Sequence, residues 1–413
     1  MRILFFADRT FPNDHSFLEG VVERRIASIG KHKVTWVMYG TINQNDVRFC
    51  QWHTSKVITV PAPAKRDPIS LLRCSKANRK LLADLFRKVK PGKWDVIVVR
   101  NDIAFLRVAF AMRDRLGIPV GYQLSHFKEE ELLERCRISI PLQQRVQQFL
   151  KGMGGLWLRE SAAPQANFIL CISDAMRSVL RKKKRYRAMR MHVFPLGYEP
   201  AYDEHLKPDR GIQTNQFRII YVGTMAFGRR LDITLRAFAR VSMRYECARL
   251  LLIGGGRELQ EREKLKKLAL TLGIQNQVAF LGQISRTEVF QWLHKCDVGI
   301  SAIPPTRVFR TISPTKVMEY MGAGLAVVAT RGILEQEELI SASKGGSLVT
   351  FDEIDIADAL AKYFETPGLA RKVGKNGQKY IFNHRNYDKM ARRFVSILNE
   401  ESNNWIVSRS NLE

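Results

Sequence analysis

Residues 313–330 read SPTKVMEYMGAGLAVVAT. Ser-Pro opens a helix well, because Ser can cap free backbone N–H groups and Pro tolerates the first helical turn. Met318, Met321 and Ala323 then fall near one apolar face, and Gly322 and Gly324 end the helix. LAVVAT has the continuous apolar character of a buried strand. The first turn is unusual. A helix N-terminus carries partial positive charge and attracts Asp or Glu. Here Lys316 occupies it, Arg310 and Arg307 lie just upstream, and no acid precedes Glu319.

The same alternation of apolar strand and helical stretch extends in both directions. Toward the N-terminus lie FRIIYVGT (217–224), RLLLIG (249–254), QVAFLG (277–282) and DVGISA (297–302), and SLVT (347–350) follows. The first half repeats the theme with ILFFA (3–7), VTWVM (34–38), VITV (57–60), DVIVVR (95–100), PVGYQL (119–124), FILCIS (168–173) and MHVF (191–194). Helical patterns cover 17–30 and 69–89. Strands this apolar, alternating with helices, indicate parallel sheets covered on both faces. PLGYEPAYDEHLKPDRGIQTNQ between the halves is rich in Pro, Gly and polar residues and reads as a linker. The expectation is an α/β protein of two doubly wound, Rossmann-like domains facing across a cleft.

Composition is consistent with this. The chain has 413 residues, 45% hydrophobic and 26% charged, enough for two full cores in a globular protein. No apolar run approaches the roughly 20 residues needed to span a bilayer. MRILFFADR reads as a first strand and not as a signal peptide. Six scattered cysteines without C-x-x-C point to a reducing compartment with neither disulfide framework nor zinc site. With no H-E-x-x-H and no D-x-D, no metal is expected.

In doubly wound sheets, ligands sit beyond the carboxyl ends of strands, where helix N-termini converge. In the second half IIYVGT runs into MAFGRR, LLLIG into GGRELQ, and DVGISA into IPPTRVFRTISPTK. All three loops carry cations. Lysine on a positive helix end makes sense if a bound anion, above all phosphate, supplies the missing charge. A solvated loop is the plainer alternative, and its charge mismatch costs only about 0.3–1 kcal/mol. Several basic strand-end loops together favour the anion site.

YVGTMAFGRRLDITLRAF, LLIGGG, VAFLGQIS, CDVGIS and SPTKVMEYMGAGLAVVAT together resemble retaining glycosyltransferases of the GT-B fold, in the large family four. In the first half, FLEGVVERRIASIGKHKVTWV resembles the family's first glycine loop, helix and second strand. ANFILCISDAMRSVL resembles its Ser-led helix, and VFPLGYEPAY its hinge. The resemblance implies a nucleotide-diphosphate sugar as donor, UDP- or GDP-linked, and neither a further cofactor nor a metal. It implies that Arg230, with Arg229 beside it, and Lys316 hold the pyrophosphate. Ser313, Thr315 and Thr224 would offer hydroxyl and N–H groups to it. Glu319 would accept hydrogen bonds from the ribose hydroxyls. Gly223 and Gly20 would allow close backbone approach to the donor. His126, after the strand PVGYQL, matches a loop histidine near the donor sugar, and Asp14 and His15 are candidates to touch the acceptor. Such a site is chemically coherent, since cations offset charge growing on a leaving diphosphate and a carboxylate suits a vicinal diol. The sequence departs from the family at Thr311, eight positions before Glu319, where a first glutamate usually binds the donor sugar.

The formal net charge is +27, and residues 1–198 hold 36 Lys+Arg against 16 Asp+Glu, a surplus of 20. RKKKRYRAMR (181–190) carries seven cations, while 69–90 and KGMGGLWLRE (151–160) mix cations with Leu, Phe and Trp. A charge run is ordinarily a solvated face. In the domain that would take the acceptor, these runs suggest docking on an anionic membrane surface to reach a lipid-linked acceptor. Nucleic acid is the competing partner, but no recognised nucleic-acid motif accompanies the charge.

The sequence therefore predicts an acceptor-binding domain (1–198), a linker (199–216), a nucleotide-sugar domain (217–385) and a C-terminal helix crossing back to the first domain (386–413). The expected activity is retaining, metal-independent sugar transfer to a lipid-linked or polysaccharide acceptor. The expected location is cytoplasmic, peripheral on the inner face of the cytoplasmic membrane. A non-catalytic homologue and a basic nucleic-acid-binding protein are the alternatives.

Overall fold

The computed structural model describes residues 1–12, 17–30, 32–41, 44–63, 68–136, 142–199, 216–256 and 259–410. The chain divides into two compact units, Met1–Pro195 with Tyr387–Glu413, and Leu196–Asn386.

Among the described residues, the first unit contains β1 (Arg2–Thr10), β2 (Lys33–Tyr39), β3 (Arg48–Trp52), β4 (Ser55–Val60), β5 (Val96–Arg100), β6 (Val120–Leu124), β7 (Phe168–Cys171) and β8 (Arg190–Val193). They form one sheet in the order β3-β4-β2-β1-β5-β6-β7-β8. Every pair is parallel except β3 with β4. The apolar runs form the sheet because both faces are covered, and Ile3 to Ala7 and Val96 to Val99 are wholly buried. Strand β3 has no such run. Its sequence RFCQW leaves four of five residues exposed at the sheet edge, so hydrophobicity gives no signal for it.

Capping sets the helix after β5. Asp102 accepts from the Phe105 N–H at 3.0 Å to start Ile103–Leu116, and Gly117 at φ 68° ends it. Ser173 likewise caps Asp174–Arg181 through the Met176 N–H, in agreement with the Ser-led helix expected there. The helix Phe17–Ile29 is wound with i→i+5 bonds, ending with the Gly30 N–H on the Arg25 carbonyl. The long C-terminal helix Tyr387–Ser410 belongs to this unit. Its Phe394 meets the rings of Phe5, Phe17 and Phe194, and the Trp405 indole donates to the Gly117 carbonyl at 2.9 Å.

The second unit holds a parallel sheet of β9 (Phe217–Val222), β10 (Ala248–Ile253), β11 (Val278–Gly282), β12 (Val298–Ser301), β13 (Ala326–Thr330) and β14 (Gly346–Val349). Among the described residues its order is β11-β10-β9-β12-β13-β14. Alternate residues of β9 feed two different cores: Ile219 and Tyr221 join one, Ile220 and Val222 the other. The order reverses at β9, the place where a doubly wound sheet opens a ligand crevice beyond its strand ends. Residues 200–215 of the predicted linker lie outside the described ones.

Candidate functional site

The helix Thr315–Gly322 is seated by two contacts. The Tyr320 hydroxyl reaches back to accept the Val222 N–H of β9 at 2.7 Å, and its ring fills the space a Cβ on Gly299 would need. At the other end the Tyr198 ring lies against Gly322. A side chain at either glycine would push the helix off the strand ends.

The start of this helix differs from the capping expected of Ser313. Pro314 is the N-cap residue and no side chain caps the first turn. The Ser313 hydroxyl turns inward instead, donating to Glu335 Oε1 at 3.0 Å and accepting the Leu196 N–H at 3.1 Å. Arg385 pairs with the same Glu335 oxygen at 3.3 Å. Ser313 therefore fastens the segment before the helix by its hydroxyl, while the first turn keeps no side-chain acceptor, the condition in which a helix N-terminus receives an anion.

Lys316 and Glu319 come together. The Lys316 ammonium lies 2.5 Å from Glu319 Oε2, one turn further along the same helix. Glu319 is only 5% exposed and its other oxygen lies 3.7 Å from the Arg286 guanidinium. Thus the cation on the positive helix end is offset by a buried carboxylate, and a second cation from another helix joins them. Sequence reasoning missed Arg286. Ser285 and Glu288 form a capping box that is visible in ISRTE and starts the helix Arg286–His294, but nothing local says that its first residue faces Glu319. Thr315 lies half-buried on the first turn. Thr311 is buried, with its hydroxyl on the Val308 carbonyl at 2.8 Å.

After β9 the chain passes Gly223 and Thr224 to Arg229 and Arg230. Gly254, at φ 132°, packs so closely on Gly223 that a Cβ would stand 1.9 Å from the Gly223 carbonyl oxygen. The two strand-end loops are therefore held backbone to backbone, a spacing only glycine allows. Thr224 is exposed and its carbonyl accepts the Tyr221 hydroxyl at 2.9 Å. Arg229 lies 4.5 Å over the ring of Phe309, which ties this loop to the one after β12. Arg230 takes a left-handed conformation (φ 50°, ψ 46°) at the N-cap of Leu231–Ser242. It makes two 2.9 Å hydrogen bonds to Asp232, which raise its pKa above the ordinary arginine value.

In the first unit, His126 follows β6 and its Nε2 lies 2.6 Å from Glu131 Oε2. The preceding Ser125 is held by Asn101, whose side chain donates to Ser125 Oγ at 2.6 Å and accepts the Ser125 N–H at 2.9 Å. Glu131 belongs to the helix Lys128–Arg135, which is anchored in turn by Arg159. That guanidinium is 1% exposed and meets Glu129 at 2.7 Å, Glu130 at 2.5 and 2.8 Å, and Glu160 at 3.2 Å. Burial disfavours its charge, but the three carboxylates outweigh that and hold its pKa above the usual value. Gly20 is found inside the helix Phe17–Ile29 and not in a loop before it, with its carbonyl bonded to Arg25 at 2.8 Å. Asp14 and His15 lie outside the described residues. Among the described residues, His192, Glu400 and Glu401 gather as a metal site would, but Arg190 already pairs with Glu401 at 3.2 Å and Glu400 at 3.8 Å. A cation there would meet one already in place.

A doubly wound unit with cations, a buried carboxylate and an uncapped helix N-terminus at its strand ends has the features on which sheets of this kind receive anionic ligands. Two family models cover most of the chain, "Glycosyltransferase Family 4" over residues 30–202 and "Glycosyl transferases group 1" over 203–380. The chain belongs to the group 1 glycosyltransferases. The α-monoglucosyldiacylglycerol synthase of Streptococcus pneumoniae is 22% identical over 95% of this chain and 85% of its own length. An uncharacterised glycosyltransferase of Methanocaldococcus jannaschii is 23% identical over 45% of this chain, a match spanning 46% of that relative. Among solved structures, sucrose-phosphate synthase from Thermosynechococcus elongatus superposes with a TM-score of 0.73 at 16% identity, covering 97% of this chain and 99% of that one. Anabaena HepE in complex with UDP gives 0.66 at 16% identity, covering 97% and 100%. The fold is GT-B.

Proposed function

We propose that the protein transfers a sugar from a nucleotide-diphosphate sugar, with retention of configuration and without a metal, to a lipid-linked or polysaccharide acceptor. The observation that carries the donor reading is the triad of Lys316, Glu319 and Arg286 at an uncapped helix start. On binding, the diphosphate would draw Lys316 from Glu319 to its own oxygens, with Arg230 and Arg229 reaching it from the Gly223 loop. The freed Glu319 carboxylate would accept hydrogen bonds from the ribose hydroxyls. As the sugar leaves, negative charge grows on the diphosphate, and fixed cations stabilise it without a divalent ion. The fold relatives solved with UDP and with UDP-2-fluoro glucose support a uridine donor over a guanosine one. The first domain would bind the acceptor, with His126 beside the reacting sugar. The surplus of 20 cations in residues 1–198 and the diacylglycerol product in the name of the pneumococcal relative support a lipid-linked acceptor at an anionic, cytoplasmic membrane surface. Among the described residues no helix is long and apolar enough to cross a membrane.

Arg230→Ala and Lys316→Ala are each expected to weaken UDP binding by about 1.5–3 kcal/mol, the range for hydrogen bonds to charged groups. Calorimetric titration of the folded variants measures this directly. Unchanged affinity in both would remove the pyrophosphate site from this helix. Retention is read from the anomeric proton couplings of the product, and an inverted product would refute that part of the proposal.

A further inference from the structure

The helix Leu142–Ala162 carries an apolar face that, among the described residues, is left exposed. Leu142, Val146, Phe149, Leu150, Met153 and Trp157 are between 46% and 74% exposed. At about 100° per residue their spacing confines all six to an arc of about 100°, and at about 1.5 Å rise the stripe is roughly 22 Å long. The opposite side of the helix is fixed. A Cβ on Gly152 would clash with Leu133, one on Gly155 with Glu129, and Arg159 is clamped by its three glutamates. The helix is therefore held rigidly with its apolar face outward.

The surroundings of the stripe are cationic. Arg145 is exposed on the same helix. At its C-terminal end Glu160 binds Lys183 at 2.7 Å, and its carbonyl accepts from Arg185 at 3.1 Å. These contacts place the basic tract 181–190 directly beside the stripe, and Lys182, Lys184 and Arg187 in it are exposed. An apolar band of this size needs a cover. A second copy of the chain carries the same net charge of +27, so general charge repulsion opposes pairing of two such faces. An anionic lipid surface answers both features, since apolar side chains enter the acyl boundary while cations meet headgroups.

We infer that this helix face is a membrane-inserting surface, in which the stripe enters the interface of an anionic bilayer and the adjoining tract holds the headgroups. The inference rests on the membrane part of the proposed function and adds to it a particular face and a particular mode, insertion as well as charge attraction.

The test uses the intact chain with neutral phosphatidylcholine vesicles and with vesicles containing phosphatidylglycerol, at low and high salt. The variants are Phe149→Ser/Leu150→Ser/Trp157→Ser, Lys182→Glu/Lys184→Glu/Arg187→Glu, and Trp157→Phe. The stripe variant is expected to lose roughly tenfold or more in partitioning to anionic vesicles, with its melting temperature and UDP affinity unchanged. Lipids brominated in the acyl chains should quench a fluorescence component that Trp157→Phe lacks while still binding. If the stripe variant partitions like wild type and only the charge-reversed one is released, the stripe is not the docking face although the membrane reading stands. If wild type binds neither vesicle type, both fail. A wild-type dimer that the stripe variant breaks into monomers, with no vesicle binding, would assign the face to a second copy and overturn the inference.

Discussion

Glu319→Gln is expected to lower the rate of sugar transfer by roughly 10²- to 10³-fold, because two hydrogen bonds from a vicinal diol to a carboxylate would weaken at once and each is worth about 1.5–3 kcal/mol. The fold should survive. Gln has the same shape, and Lys316, the close partner, has a side chain 39% exposed, so its ammonium stays in contact with water when the ion pair is lost. The readout specific to the proposed role is a donor lacking one ribose hydroxyl. Such a donor should be poor for the wild type and should narrow the gap between wild type and variant, as expected when two changes remove the same contact. Wild-type turnover by Glu319→Gln would rule out the role. A collapsed melting temperature would instead make Glu319 a structural partner of Arg286 and Lys316.

Arg159→Ala is expected to destabilise the first unit by about 3–5 kcal/mol, the cost of breaking a buried ion cluster from one side. The arginine is central to Glu129, Glu130 and Glu160 and lies 5.0 Å from the centre of the Phe127 ring. Without it three carboxylates remain close together and partly desolvated. The pH dependence follows from Glu130, whose pKa lies below the ordinary carboxylate value because the hydrogen bond and attraction of Arg159 outweigh burial. A carboxylate with a lowered folded pKa contributes stability above its unfolded pKa, and that contribution is lost as pH falls through the folded value. Urea midpoints should therefore separate wild type from Arg159→Ala most at neutral pH and converge on acidification. Equal midpoints at neutral pH would contradict the cluster's structural weight.

The fold was legible because its signal is local. Each parallel strand is buried on both faces, so runs such as ILFFA and LAVVAT announce themselves without knowledge of their partners. Among the described residues the strand missed, β3, is the exposed antiparallel edge. The site was legible only in part. Lys316 and Glu319 lie three residues apart on one helix, and their meeting follows from helical geometry. Arg286 reaches Glu319 from 33 positions away in sequence, and Ser313 finds Glu335 across 22. Those pairings depend on how helices pack, which no local pattern encodes. Ser313 shows how a sound local rule can lose. As a cap it would satisfy one N–H, whereas turned inward it satisfies two groups at once, donating to the buried Glu335 carboxylate and accepting the Leu196 N–H. At Gly20 the two readings of the sequence diverged: the helical pattern over 17–30 holds, while the glycine loop implied by the resemblance is absorbed into a helix with i→i+5 bonds. The exposed stripe on Leu142–Ala162 was glimpsed in the sequence only as Trp157 and its neighbouring leucines, because an apolar helix face looks the same whether it is covered or bare.

The account depends most on a nucleoside diphosphate binding at the start of the helix Thr315–Gly322. The direct measurement is calorimetric titration of the intact chain, in the presence of EDTA, with UDP, GDP, ADP and TDP and with their glucose conjugates. One base, uridine by the present reading, should bind saturably with the metal removed, and its affinity should fall in Lys316→Ala. If a folded protein binds none of these ligands, or binds its preferred one equally well after Lys316→Ala and Arg230→Ala, the donor site lies elsewhere and the account is wrong.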